Sequence, residues 1–215
     1  MGCEVLPTSI VGADNCVVAV IDVQNDFCAA GGAFAQEGSD VTRISEMLPR
    51  LQHFLEASRK LDVRIVFVRY EYDSACLSEV VAMRDRILGG SRVPCCQPGS
   101  WGAEFCSPIE PRSGEPVFTK RYYSAFSSNR FVKFLRQTGI QTLVLTGVLT
   151  NVCVETTARD AELWGFYAIL VEDCVASDSL TLHEAALANL KTYFGWSCRQ
   201  EDLVRLWGAQ RSAKR

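Results

Sequence analysis

The sequence predicts an α/β fold, a single doubly wound domain over residues 1–215 with a parallel sheet flanked by helices, and three observations carry that prediction. Strand-sized apolar runs alternate with helical apolar patterns along the chain. Most of those runs are continuous rather than alternating, as in strands covered on both faces. Hydrophobic residues make up 48% of the 215, enough for one compact core.

Five segments read as strands: Cys16–Asp22 (CVVAVID), Val63–Tyr70 (VRIVFVRY), Val117–Lys120, Thr142–Val148 (TLVLTGV) and Tyr167–Asp173 (YAILVED). Their β-branched and apolar composition suits a covered pleated surface. Four helices lie between and after them. Val41, Ile44, Leu48, Leu51 and Leu55 recur at helical spacing, with Asp40 as the expected N-cap. Phe131, Phe134 and Leu135 form a second apolar face, stopped by Gly139. Val152–Leu163 is a third helix, ended by Gly165, and Leu180–Leu190 a fourth. The stretch Gly89–Gly114 is too long for a simple connector and is expected to cover an active site or form an oligomer contact.

The formal net charge of -3 gives no long-range attraction to nucleic acid or an anionic membrane. The longest purely apolar stretches fall well short of the roughly 20 residues a membrane-spanning helix needs. The start, Met1-Gly2-Cys3-Glu4, shows no basic segment followed by an apolar run, and Leu6 stands where a myristoylation signal wants Ser or Thr. These features lead us to expect a cytoplasmic protein with a small-molecule partner. The 10 cysteines lack paired metal-site spacing and are expected to be reduced thiols, mostly small buried hydrophobes.

Reactive groups in such sheets gather beyond the carboxyl ends of the strands. Asp22 ends the first strand, Lys120 the third, and Thr150-Asn151-Val152-Cys153 follows the fourth. A thiol where a strand turns into a helix feels unpaired N–H groups and the positive end of the helix dipole. With a lysine ammonium nearby, that setting favours the thiolate, which attacks a carbonyl to form an acyl-enzyme. Spacing alone leaves the plain alternative open: Asp22 a cap, Lys120 a surface charge, Cys153 a small buried residue.

Three motifs in order go further. Leu145–Ala161 (LTGVLTNVCVETTARDA) resembles the nucleophile signature of the isochorismatase-like cysteine hydrolases. Val18–Phe27 (VAVIDVQNDF), followed by Gly31-Gly32, is similar to that family's first strand and its aspartate, and Thr119–Phe126 (TKRYYSAF) to its lysine motif. The similarity runs in register from about residue 16 to 205. It implies a sheet of six parallel strands and a homo-oligomer. It further implies Cys153 as nucleophile, Asp22 as general acid/base and Lys120 as electrostatic partner. A non-proline cis peptide near Val148-Leu149 is also implied, aiming the Leu149 and Cys153 amides at the oxyanion.

A nucleophilic cysteine favours an amidohydrolase within the family, because isochorismate carries a vinyl ether that needs no acyl-enzyme. Nicotinamidases add a histidine-rich metal site after the second strand. This chain reads Arg69–Ser74 (RYEYDS) there, and its 2 histidines, His53 and His183, fall within helices. We therefore expect no metal and no cofactor. Leu187–Trp196 (LANLKTYFGW) is similar to the C-terminal stretch of the ureidoacrylate and biuret hydrolase branch. The departure is at Tyr70-Glu71-Tyr72, where ureidoacrylate enzymes carry an Asn-Gly-Trp-type segment. The expected activity is metal-independent cleavage of a small non-peptide amide or ureido C–N bond. The alternatives are isochorismate hydrolysis and a catalytically retired binding protein of the same fold.

Substrate contacts are expected from Gln24, Asn25, Tyr72 and Tyr123, with Trp101 as a further aromatic candidate and Gln24 and Asn25 alternatively ordering Asp22. Asn151 is the expected cap of the Cys153 helix, Thr150 is expected to bond within the turn, and Gly147 to allow close backbone approach. Arg69 is read as a surface ion pair before a carboxylate ligand, and Trp196 as packing.

Overall fold

Every residue of β1 (Cys16–Ile21) is buried, as a strand at the centre of a doubly covered sheet must be. The computed structural model describes residues 6–72, 79–80, 83, 87 and 94–214. Expectations placed on Met1–Glu4, Asp73, Ser74, Cys76 and residues 89–93 lie outside the described residues. Around β1 are arranged β2 (Arg64–Tyr70), β3 (Val117–Lys120), β4 (Thr142–Val148), β5 (Tyr167–Ala176) and β6 (Trp196–Cys198). All pair in parallel, in the order β3-β2-β1-β4-β5-β6. The sheet thus has six strands, and the order reverses between β1 and β4, the switch point where α/β sheets open a crevice.

The α-helices with described bounds are α1 (Asn25–Cys28), α2 (Ala33–Gln36), α3 (Thr42–Lys60), α4 (Asn129–Gln137), α5 (Glu155–Leu163), α6 (Leu180–Asn189) and α7 (Gln200–Ala213). Strand side chains alternate between two cores. Val18 and Val20 join Leu51, Phe54 and Leu55 of α3 and Leu203 and Trp207 of α7 on one face. Val17, Ala19 and Ile21 join Phe131 and Leu135 of α4 and Ala158 and Ala161 of α5 on the other. Gly139 and Gly165 adopt φ of 67° and 82°, the left-handed conformation that ends α4 and α5.

Four details differ from the sequence reading. Asp22 lies just past β1 with φ 52°, so the chain turns sharply at that residue instead of continuing the strand. β5 runs on to Ala176, and its pairing with β4 shifts register between Leu145 and Gly147. Val41, not Asp40, occupies the cap position of α3, although the Asp40 carboxylate accepts from the Thr42 N–H at 2.9 Å. The segment carrying Cys153 begins as a π-helical turn, Thr150–Val154, before α5.

Candidate active site

Sheet register explains how Lys120, two strands away from β1, reaches Asp22. Ile21 pairs with Val68, and Tyr70, two residues further along β2, pairs with Lys120. The carboxyl end of β3 therefore projects past that of β1, and the long lysine stem crosses the end of β2. Its ammonium passes 5.1 Å from the centre of the Tyr70 ring.

Gly147 sets the other side. It pairs with Ile21 at φ 102°, and a Cβ there would fall 2.1 Å from the Ile21 carbonyl oxygen. Only glycine allows that approach. The Val148-Leu149 peptide that follows is cis, the one non-proline cis bond among the described residues. The π-helical turn then brings Cys153 to the ion pair.

Lys120 Nζ lies 2.7 Å from Asp22 Oδ2 and 3.4 Å from Cys153 Sγ, and donates to the Tyr122 carbonyl at 3.0 Å. Asp22 and Lys120 are each 1% exposed and Cys153 8%. The three candidates from separate strands therefore meet in one dry place. Asp22 still has acceptor capacity that no regular hydrogen bond takes up.

Electrostatics here correct one expectation. A lysine and a helix N-terminus were expected to hold Cys153 as thiolate, but burial and the Asp22 charge push its pKa well above the usual thiol value, against the pull of Lys120. The reason is charge balance. The Lys120 ammonium is already neutralised by Asp22, so ionising the thiol would leave an uncompensated negative charge in a buried cluster. Burial also lifts Asp22 above the usual carboxylate range, with Lys120 opposing it. For Lys120, burial disfavours the charge, but Asp22 and Cys153 outweigh it and hold the ammonium. These directions favour a neutral thiol beside the lysine–carboxylate pair.

The remaining candidates divide. Gln24 is wholly engaged by backbone: its amide nitrogen donates to the carbonyls of Tyr70 and Ala103, each at 2.9 Å, and its oxygen accepts from the Tyr70 N–H at 2.8 Å. These bonds order the ends of β1 and β2, the alternative role expected of Gln24. Asn25 donates to the Trp101 carbonyl at 2.8 Å and so ties α1 to residues 94–114, which cross the end of β1 through the Cys106 N–H bond to Val23. The expected cover is thus laid against the site. Tyr72 is half-buried, its N–H bonded to the Cys96 carbonyl; Tyr123 and Trp101 are exposed. Arg69 pairs with Glu71 at 2.7 Å. Asn151 does not cap its helix; its side-chain oxygen accepts from the Ser177 hydroxyl.

Two residues escaped the sequence reading. Thr157, one turn beyond Cys153, donates to the Cys153 carbonyl at 2.7 Å and accepts from the Ala125 N–H at 3.0 Å, joining nucleophile turn to lysine loop. Its place at i+4 from Cys153 was the available signal. His183, which the sequence places only within a helix, has its Nδ1 2.8 Å from the Thr150 hydroxyl.

The chain is similar to known proteins in sequence and fold. Residues 16–202 match the isochorismatase domain. The chain is 30% identical over 198 residues to the ureidoacrylate amidohydrolase RutB of Methylorubrum extorquens, covering 86% of this chain and 79% of that one. An isochorismatase-like hydrolase from Alkaliphilus metalliredigens superposes with a TM-score of 0.72 at 26% identity, over 90% of this chain and 99% of that one. The pyrazinamidase of Pyrococcus horikoshii in complex with zinc shares the fold, with a TM-score of 0.69 at 24% identity, over 86% of this chain and 99% of that one.

Among the described residues, no histidine stands in a group of three or more side chains at metal-ligand separations. His53 is exposed on α3, and Nδ1 of His183 is paired with the Thr150 hydroxyl. Among the described residues, only Asp26, Cys95 and Cys96 group at ligand separations. The Asp26 carboxylate already accepts the N–H groups of Ala33 and Cys96, at 3.1 and 2.6 Å, and packs where a Cβ on Gly102 would lie 2.0 Å from its Oδ2. It serves to join α2 to the cover. With the match spanning most of its length and the three motifs meeting at one sheet edge, the chain belongs to the isochorismatase family of hydrolases.

Proposed function

We propose that the chain is a metal-independent cysteine hydrolase that cleaves a small non-peptide amide or ureido C–N bond through a covalent enzyme intermediate on Cys153. The observation that carries this reading is the buried thiol 3.4 Å from an ammonium that is itself 2.7 Å from a carboxylate. A vinyl ether would need no such nucleophile. The similarity to ureidoacrylate amidohydrolases supports a ureido substrate. A cytosolic setting suits the reading, because it keeps thiols reduced.

The chemistry follows from the neutral resting site. As Cys153 Sγ attacks the substrate carbonyl, its proton passes to Asp22, so no free thiolate accumulates. Negative charge moves to the carbonyl oxygen, where the Leu149 and Cys153 amides donate; one such donor is typically worth about 3 to 4 kcal/mol of barrier. Lys120 remains an ammonium and offsets the charge passing between sulfur, oxygen and carboxylate. Asp22 returns the proton to the leaving nitrogen, the C–N bond breaks, and the acyl or carbamoyl group stays on sulfur. Water then attacks that carbonyl with Asp22 as base, and Cys153 leaves as the thiol.

The test is product detection from wild type and Cys153→Ala against ureidoacrylate, biuret, N-carbamoyl amino acids, nicotinamide and isochorismate, read by ammonia release and mass spectrometry. Turnover of a ureido or amide compound that is lost in the variant is expected. Isochorismate turnover surviving in the variant would move the chemistry to the vinyl ether and remove the role of Cys153. Activity should also survive exhaustive chelation; loss restored by zinc would overturn the metal-independent mechanism.

A further inference from the structure

The two proposed oxyanion donors, the amides of Leu149 and Cys153, are separated by Thr150, Asn151 and Val152. Whatever fixes those residues therefore fixes the angle at which the donors converge. Thr150 is fully buried, and its hydroxyl lies 2.8 Å from Nδ1 of His183, which α6 presents to the turn. This bond is possible in either imidazole tautomer, because the hydroxyl both donates and accepts. His183 is held below its usual pKa, first by burial and then by Arg43 of α3, against Glu184 of its own helix and Glu172 of β5, so the ring is neutral near pH 7. Its second anchor is independent: the Ser177 hydroxyl, from the segment after β5, donates to Asn151.

We propose that His183 is a positioning residue, which through Thr150 holds the turn between Leu149 and Cys153 so that both amides point at the developing oxyanion. The inference rests on the nucleophile assignment under the proposed function. Its physical basis is the steep dependence of such stabilisation on geometry: donors misplaced by about 1 Å lose up to 100-fold in rate. Because the Ser177–Asn151 bond survives without His183, loss of the imidazole loosens the turn rather than unfolding it. Substrate binding, which precedes oxyanion formation, is affected little.

The experiment is steady-state kinetics with ureidoacrylate on wild type, His183→Ala, His183→Asn, Thr150→Val and the His183→Ala/Thr150→Val pair. Exposed His53→Ala serves as control, and Cys153→Ala as reference. We expect kcat to fall about tenfold in His183→Ala and Thr150→Val with KM changed less than about twofold. His183→Asn, which can place an amide atom near the former Nδ1, should recover kcat to within about threefold of wild type. The paired variant should be no slower than the slower single, since both remove one interaction. Wild-type kcat in His183→Ala, no recovery in His183→Asn, or fully multiplicative losses in the pair would each overturn the proposal. If His183→Ala does not fold, His183→Asn and Thr150→Val carry the same decision. Turnover persisting in Cys153→Ala would instead sink the nucleophile assignment, whatever the His183 variants do.

Discussion

Of the lysine- or arginine-to-carboxylate pairs separated by 2.7 Å in this molecule, Arg59–Glu115 and Lys120–Asp22 have opposite meanings. Arg59 of α3 grips Glu115 with two parallel bonds, at 2.7 and 2.8 Å, where their side chains keep 15% and 13% of their exposure. It is joined there by Glu56 and Arg112 in a small network near the surface. Lys120 and Asp22 have side chains 0% and 1% exposed. The first pair retains access to water and pins a helix to the approach of β3. The second gives up the hydration of two ions, and attraction in a low-dielectric interior only partly repays that loss. Distance therefore says little about role. Under the proposed function, burial beside a third reactive group, Cys153, separates a pair kept for chemistry from one kept for architecture.

Substitutions at the two pairs should diverge accordingly. The largest effect is expected at Cys153→Ala, with at least about a 10,000-fold loss of turnover and a native melting profile; a loss of less than about 100-fold on the same substrate would contradict it. Next come Asp22→Asn and Lys120→Met. Each should remove activity and, by stranding a buried charge or polar partner, cost about 3 to 5 kcal/mol by chemical denaturation. The double variant should recover part of that stability without recovering activity. Full additivity of the two stability losses would show that the pair does not act as one unit. Gly147→Ala should cost about 3 kcal/mol, in line with overpacking, because its Cβ would meet the Ile21 carbonyl at 2.1 Å. Wild-type stability there would mean that the backbones of β1 and β4 can part easily. Arg59→Ala is the smallest case, with about 1 kcal/mol of stability lost and kcat/KM unchanged.

The pH profile sharpens the same comparison. The mechanism needs Asp22 as carboxylate, and burial raises its pKa against Lys120. Activity is therefore present above that raised value and lost as pH falls through it. The acid limb of kcat/KM should lie above the roughly 4 of an ordinary aspartate. A limb at or below the ordinary value would mean that Lys120 dominates the site. Iodoacetamide labelling tests the thiol separately: with Cys153 pushed upward, its alkylation should stay slow near neutral pH and accelerate only in alkali. Rapid labelling at pH 7 would restore a resting thiolate.

Much of this was legible in the sequence because it is written in local pattern. The continuous apolar runs of β1, β2, β4 and β5 mark buried strands, and Gly139 and Gly165 stop their helices as their left-handed φ requires. Asp22, Lys120 and Cys153 could be brought to one sheet edge because each ends or follows a strand and parallel strands present their carboxyl ends on one edge. What was hidden is long-range or too short to have a period. β6 has only three residues, Trp196–Cys198, and no alternation can be read from three. The contacts of Gln24 with Tyr70 and Ala103, of Asn151 with Ser177 and of Thr150 with His183 span 46 or more, 26 and 33 residues. No local rule joins such partners. The upward pull on the Cys153 thiol was hidden for a related reason. Sequence spacing showed a lysine and a turn, but not that Asp22 had already neutralised that lysine.

The most direct measurement is rapid-quench intact-mass analysis of the wild-type enzyme during turnover of ureidoacrylate, followed by peptide mapping. The account predicts a transient mass increase equal to the acyl or carbamoyl fragment of the substrate, located on the peptide containing Cys153 and absent from Cys153→Ala. Turnover with no adduct at any time point, in an enzyme whose Cys153→Ala variant remains active, would contradict it.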